Sequence, residues 1–150
     1  MNNSQAFKTI LKRNKKYKQG FLNKNMLKNP DKFLNKNGVS IYRSSFELKF
    51  SKWCDLNENV KYWSSEEIQI KYLNPLDNKI HTYYPDFFIT INEKKYIIEI
   101  KPYNETIKPK KTKYKQYKNF IINKTKWKYT KEYCKKNGFE FKIITEKDLF

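Results

Sequence analysis

Apolar and polar positions change period several times along this chain, and each change marks an element. From Ser44-Ser45 onward, Phe46, Phe50, Trp53, Cys54 and Leu56 recur at helical spacing, which predicts a helix over 45–56. Glu66 to Leu73 alternates instead, with Ile68, Ile70 and Tyr72 on one face, and reads as a strand. Turn chemistry at Asn74-Pro75 and Asn78-Lys79 separates it from a second strand over 80–91. Asn92-Glu93 then makes a tight turn into a third strand, Tyr96–Lys101, which Pro102 ends. Helical spacing returns over 113–121 and more clearly over 125–136. There Trp127, Thr130, Tyr133 and Cys134 share a face, and Asn137-Gly138 offers a left-handed cap. Residues 139–144 form a last strand. The order α-β-β-β-α-β describes an α/β fold: an antiparallel meander, then a helical crossover to another strand of the same mixed sheet.

Ahead of these elements, residues 1–38 are rich in Lys and Asn. They show only a weak helical stretch at Ala6–Leu11 and turns at Asn29-Pro30-Asp31 and Asn37-Gly38, and so read as a basic, loosely ordered arm before a domain at 39–150. A chain of 150 residues buries enough surface to need no staple. Cys54 and Cys134 have neither a disulfide framework nor metal-ligand spacing. No apolar run approaches the length of a membrane span, and the Lys-dotted start lacks the apolar core of a secretion signal. The expectation is a reduced, intracellular, soluble protein, neither secreted nor membrane-bound.

Charge sharpens this picture. The formal net charge is +18, from 33 basic and 15 acidic residues. An A/T-rich genome also produces an excess of Lys, Asn, Ile and Tyr, but not the distribution seen here. Residues 1–38 carry 10 basic and 1 acidic residue, residues 39–101 carry 9 of each, and residues 102–150 carry 14 and 5. A neutral centre between basic flanks suits a catalytic core held on nucleic acid by its ends. All but Arg13 and Arg43 of the cations are Lys, which meets phosphate as a point charge, so binding should depend little on base sequence and strongly on salt.

The neutral centre holds the candidate chemistry. If Asn92-Glu93 is a two-residue turn, Ile91 faces Lys94 and Asp86 faces Glu99. Asp86, Glu99 and Lys101 then share one face, while Phe87, Ile89, Ile91, Tyr96, Ile98 and Ile100 line the other. Facing carboxylates repel unless a cation neutralises them. Oxygen ligands favour Mg²⁺, or Mn²⁺, over zinc. Such an ion polarises a phosphoryl oxygen and lowers the pKa of water. Lys101 would stabilise charge on phosphorus or orient the water. The combination is metal-assisted phosphodiester hydrolysis. A D-x(n)-E-x-K spacing alone is more often the solvent face of an ordinary meander; Pro85 before Asp86, the apolar YIIEI around Glu99 and the order of elements reverse that balance in favour of the site.

This arrangement resembles the PD-(D/E)xK nuclease superfamily, the restriction-endonuclease-like fold. Longer strings, NPDKF (29–33), YRSSFELKF (42–50), WSSEEI (63–68), YYPDF (83–87), IEIKPY (98–103) and KWKYTKEYCKKNGFEFKIITEKDL (126–149), resemble the head completion nucleases of tailed bacteriophages. Transposase-associated nucleases of the superfamily are similar in fold. The resemblance implies Asp86 and Glu99 as metal ligands, Lys101 as the catalytic lysine and Glu47 as an acidic residue supplied by the first helix. Glu47 has a second reading, because Ser44-x-x-Glu47 is a capping box.

Other residues add to this core. Glu66 or Glu67 must face the site side of its strand, although a strand end explains both. His81, the only histidine, reads as a sheet residue. Arg43 could contact a phosphate or pair with Glu47. Lys108, Lys110, Lys111, Lys113, Lys115 and Lys118 place six cations in 11 residues without an acid, interleaved with Tyr114 and Tyr117, where DNA would approach. The function implied is a Mg²⁺-dependent DNA endonuclease of low sequence specificity, acting in phage genome packaging or head maturation beside portal, neck or packaging proteins. The alternative is a non-catalytic basic DNA-binding protein of the virion portal on the same fold.

Overall fold

Residues 19–149 are described by a computed structural model. In chain order they form β1 (Gly20–Asn23), β2 (Val39–Tyr42), α1 (Ser45–Leu56), β3 (Val60–Ser65), β4 (Ile70–Asn74), β5 (Lys79–Tyr83), β6 (Phe87–Ile91), β7 (Lys94–Ile100), α2 (Tyr114–Asn137), β8 (Glu140–Ile144) and α3 (Glu146–Leu149). The main sheet runs β3-β6-β7-β8, with β7 and β8 parallel and the other pairs antiparallel. β1 with β2 and β4 with β5 make separate two-stranded hairpins.

The β6–β7 hairpin is the hinge of the site, and its turn sets its register. Asn92 and Glu93 both take positive φ, 47° and 72°, as a two-residue primed turn requires. Ile91 therefore pairs with Lys94, and Phe87 with Ile98. One face of this hairpin, Phe87, Ile89, Ile98 and Ile100, joins the main core with Phe50, Cys54, Val60 and Trp63, and Ile91 and Tyr96 pack at its edge. On the opposite face Ile97 is fully buried and Phe88 packs on Phe139. α2 flanks this side, with Trp127, Thr130 and Cys134 buried.

Several expectations need correction. The strand predicted over 80–91 is two strands in different sheets. Pro85, which has no N–H to give a ladder, lies at the corner where the chain leaves the β4–β5 hairpin and enters the main sheet. β3 had no sequence signal, because a bulge between Val60 and Tyr62 breaks its alternation. The strand predicted from Glu66 begins at Ile70. The two helical stretches after 113 are one helix, with neither Gly nor Pro to break it; Gly138, at φ 72°, caps it as expected.

Residues 19–38 are not a loose arm. Leu22, Leu27 and Phe33 are buried, and Phe33 lies 4.5 Å from the Trp63 ring. The Asp55 carboxylate accepts from the backbone N–H groups of Lys28 and Asn29 at 2.9 and 2.8 Å. The stretch looked unstructured because its apolar residues are spaced irregularly and anchor one at a time. Ala6–Leu11 lies outside the described residues. Among the described residues no helix is long and apolar enough to cross a membrane.

Candidate active site

Four carboxylates and three cations gather where β3, β6, β7, α1 and α2 approach one another. Asp86 stands immediately before β6, and its Oδ2 accepts the Ile100 N–H at 2.7 Å, which fixes it against β7. Glu99 projects from β7 and is buried; its Oε2 accepts the Tyr83 hydroxyl, and its Oε1 lies 3.7 Å from Lys101 Nζ. The hairpin register thus brings Asp86, Glu99 and Lys101 together, as the sequence predicts.

Glu47 occupies the first turn of α1, where the helix dipole favours negative charge. Ser44 caps the helix by accepting the Glu47 N–H at 3.2 Å, and its hydroxyl donates to Glu47 Oε2 at 3.0 Å. The same carboxylate also offers an oxygen to a close group. Ligand atoms of Glu47, Glu66 and Asp86 lie within 4.8 Å of one another. From one side-chain position the Glu47 carboxylate thus meets both the capping hydroxyl of Ser44 and the acidic group.

Glu66 is the residue the sequence undervalued. It follows β3 in a left-handed conformation, φ 53°, and its N–H donates to the Asp86 carbonyl at 3.2 Å. Because Ser65 pairs with Phe87, Glu66 falls beside Asp86. Recognising β3 would have revealed this. Arg43 does not pair with Glu47. It forks onto Glu66, Nε at 3.0 Å and Nη2 at 3.3 Å, and its own pKa rises in consequence. Glu67 accepts the Lys36 N–H at 3.0 Å, and His81 pairs with Asp77 at 2.6 Å on the β4–β5 hairpin.

The electrostatics show a crowded anionic site. Burial pushes the Asp86 carboxyl well above its ordinary range, and the charges of Glu99 and Glu47 push it further, against the Ile100 N–H and Lys101. Burial likewise raises Glu99, opposed by Tyr83, Lys101 and Lys126, and raises Glu47, opposed by Ser44 and the Arg43 backbone. Lys126, on α2, was not anticipated as part of this group. Burial and Lys101 lower its pKa, while Glu99 and Asp86 act to raise it.

Glu99, buried on β7, and Asp86 before β6 thus stand beside Lys101, with further acids from α1 and the end of β3. The N-terminal domain of the TnsA-like endonucleases matches residues 57–146. The chain belongs to this TnsA-like endonuclease family. It is also 33% identical over 119 residues to the head completion nuclease of Enterobacteria phage T4, an alignment covering 72% of this chain and 79% of that protein. Its mixed sheet with flanking helices is restriction-endonuclease-like, as the motif implied. The TnsA-like segment contains Glu66, Asp86, Glu99, Lys101 and Lys126, whereas Glu47 on α1 lies before it.

The donor set fits a hard divalent cation. It consists of carboxylate oxygens, three of them close together, with charge that the nearby Arg and Lys leave uncompensated. The basic segment lies beyond Lys101. Lys108 and Lys110 are exposed, and with Lys113, Asn104 and Gln116 they line a surface concavity of about 540 Å³ ahead of α2. Lys111 and Lys115 are exposed on either side of Lys113.

Proposed function

We propose that this protein is a metal-dependent DNA endonuclease that hydrolyses phosphodiester bonds with little sequence preference and acts during phage head completion or DNA packaging. The close grouping of Asp86 with Glu47 and Glu66, beside the Glu99–Lys101 pair whose charges act on Asp86, carries this reading. Membership of an endonuclease family and likeness to a head completion nuclease support it. Asp86, Glu99 and Glu47 would hold Mg²⁺, or Mn²⁺, with Glu66 beside them. When bound, the ion supplies Lewis-acid polarisation of a phosphoryl oxygen and lowers the pKa of water.

The chain's own residues supply the rest. Water oxygen bonds to phosphorus as the bond from phosphorus to one ester oxygen breaks. The water loses one proton, the leaving oxygen gains one, and the products are a phosphomonoester and an alcohol. Lys101 bears on the negative charge that builds at phosphorus and orients the water. Tyr83 holds the Glu99 carboxylate in place through its hydroxyl. Lys108, Lys110, Lys111, Lys113 and Lys115 contact the DNA backbone, which carries no base code, so cleavage is sequence-tolerant.

Incubation with supercoiled and with linear DNA tests the reading. Nicking or linearisation of supercoiled DNA with Mg²⁺ that EDTA abolishes is the expected result. Intact DNA under all metal conditions would refute it.

A further inference from the structure

Lys126 occupies a position where a lysine is out of keeping with its surroundings. It shares a helical stripe with Ile122, Tyr129 and Tyr133, which pack on the Ile70, Tyr72 and Tyr83 cluster, whereas Lys124, Lys128 and Lys131 on the same helix are exposed. Its Nζ lies 5.3 Å from the centre of the Tyr83 ring and 5.9 Å from that of Tyr72. Tyr83 in turn donates its hydroxyl to Glu99, whose other oxygen faces Lys101. Two aromatic rings therefore flank this ammonium on the helix side of the site, where the charges of Glu99 and Asp86 act on it.

Drawing an ammonium partly out of water is costly unless an anion answers it. Among the described residues Lys126 makes no ion pair within 4.0 Å, and Glu99 is already engaged by Lys101 and Tyr83. A fixed second cation beside an occupied carboxylate leaves positive charge for a group that comes and goes. The transition state of diester hydrolysis provides one, since attack on the singly charged diester gathers a second negative charge on the phosphoryl oxygens.

We propose that Lys126 is a second phosphate-contacting catalytic lysine, meeting a non-bridging oxygen of the scissile phosphate from α2 while Lys101 bears on it from β7. This rests on the nuclease reading above. In this role Tyr83 is a positioning residue, tying Lys126 and Glu99 into one unit.

The test uses the full chain, with kcat for plasmid cleavage measured at saturating DNA and saturating metal. Lys126→Met should lower kcat on the order of 100-fold, as removal of a transition-state donor does. Its affinity for linear DNA in EDTA should stay within about twofold of wild type, because one contact among many phosphate contacts is lost. Its melting temperature should not fall, since a desolvated charge is removed. If that variant fails to fold, Lys126→Gln is read in the same way. A kcat equal to wild type overturns the proposal. So does a loss that appears only below saturating metal, because Lys126 would then act only through the cation affinity of the carboxylates. Absence of cleavage by the wild type itself overturns the nuclease reading and this inference together, and is distinguishable because no variant is involved.

Discussion

At the scale of single residues, the carboxylates of the site and the carboxylate of Asp55 are opposite cases. Asp86 and Glu99 stand against each other with raised pKa values, so in the absence of metal they oppose folding. Asp86→Ala and Glu99→Ala should each lose cleavage while melting in EDTA no lower than wild type, and up to about 1–2 kcal/mol more stably. The pH dependence follows in sign. Groups held above their unfolded values bind more protons in the folded state, so the metal-free wild type gains stability as pH falls from neutrality toward the unfolded carboxylate range, about pH 4. Melts of wild type and Asp86→Asn across that window should show the variant losing part of the gain; parallel curves would contradict it. Asp55, 2% exposed, instead satisfies two backbone N–H groups of the N-terminal segment. Asp55→Ala orphans both and should cost about 3 kcal/mol in denaturant melts, with kcat of the folded fraction unchanged.

At the scale of elements, what could be read from the sequence divides by whether the signal is local. The first helix was legible to the residue, because Ser44 caps it and its apolar spacing is regular. The β6–β7 hairpin was legible because its turn and its one-sided apolar face agree, and this placed Asp86 and Glu99 together in advance. β3 was hidden by its bulge, and Glu66 was undervalued with it. Lys126 was hidden among many surface lysines, since only the packing of α2 on the β4–β5 hairpin sets it apart. The N-terminal segment was misread because its order rests on partners distant in sequence: β1 pairs with β2, and the residues after it bond to β3. Leu34 donates to the Trp63 carbonyl at 2.9 Å, and Asn35 bonds Ser65 in both directions at 2.8 and 3.0 Å. A chain beginning at residue 39 would strip Leu22, Leu27 and Phe33 from the core and leave Trp63 exposed. Circular dichroism should show no cooperative melt for it, and a wild-type-like melt would restore the boundary at 38. A milder version, Phe33→Ala, should cost about 3–5 kcal/mol.

At the scale of the whole molecule, the deciding feature is a neutral, acid-bearing centre set in a chain of net charge +18. If DNA is the substrate, the centre alone would repel it, because carboxylates carry the same sign of charge as phosphate. On the nuclease reading, the lysines that follow Lys101 resolve this conflict by supplying attraction a short distance along the chain, in an exposed segment that runs into α2. If they contact the backbone, binding of DNA in EDTA should weaken as salt rises, by about 0.9 log units per log unit of salt for each contact. Neutralising Lys110, Lys111, Lys113 and Lys115 together should flatten that slope by up to about 3–4 units and weaken binding about equally on unrelated sequences. Turnover at saturating DNA should change little, which would separate this group from Lys101 and Lys126, whose loss should lower kcat and leave the slope nearly intact. Fluorescence anisotropy over a salt series, wild type against the quadruple variant, measures the slope directly. An unchanged slope would mean that these lysines reflect the composition of the genome and that the attraction comes from elsewhere on the surface.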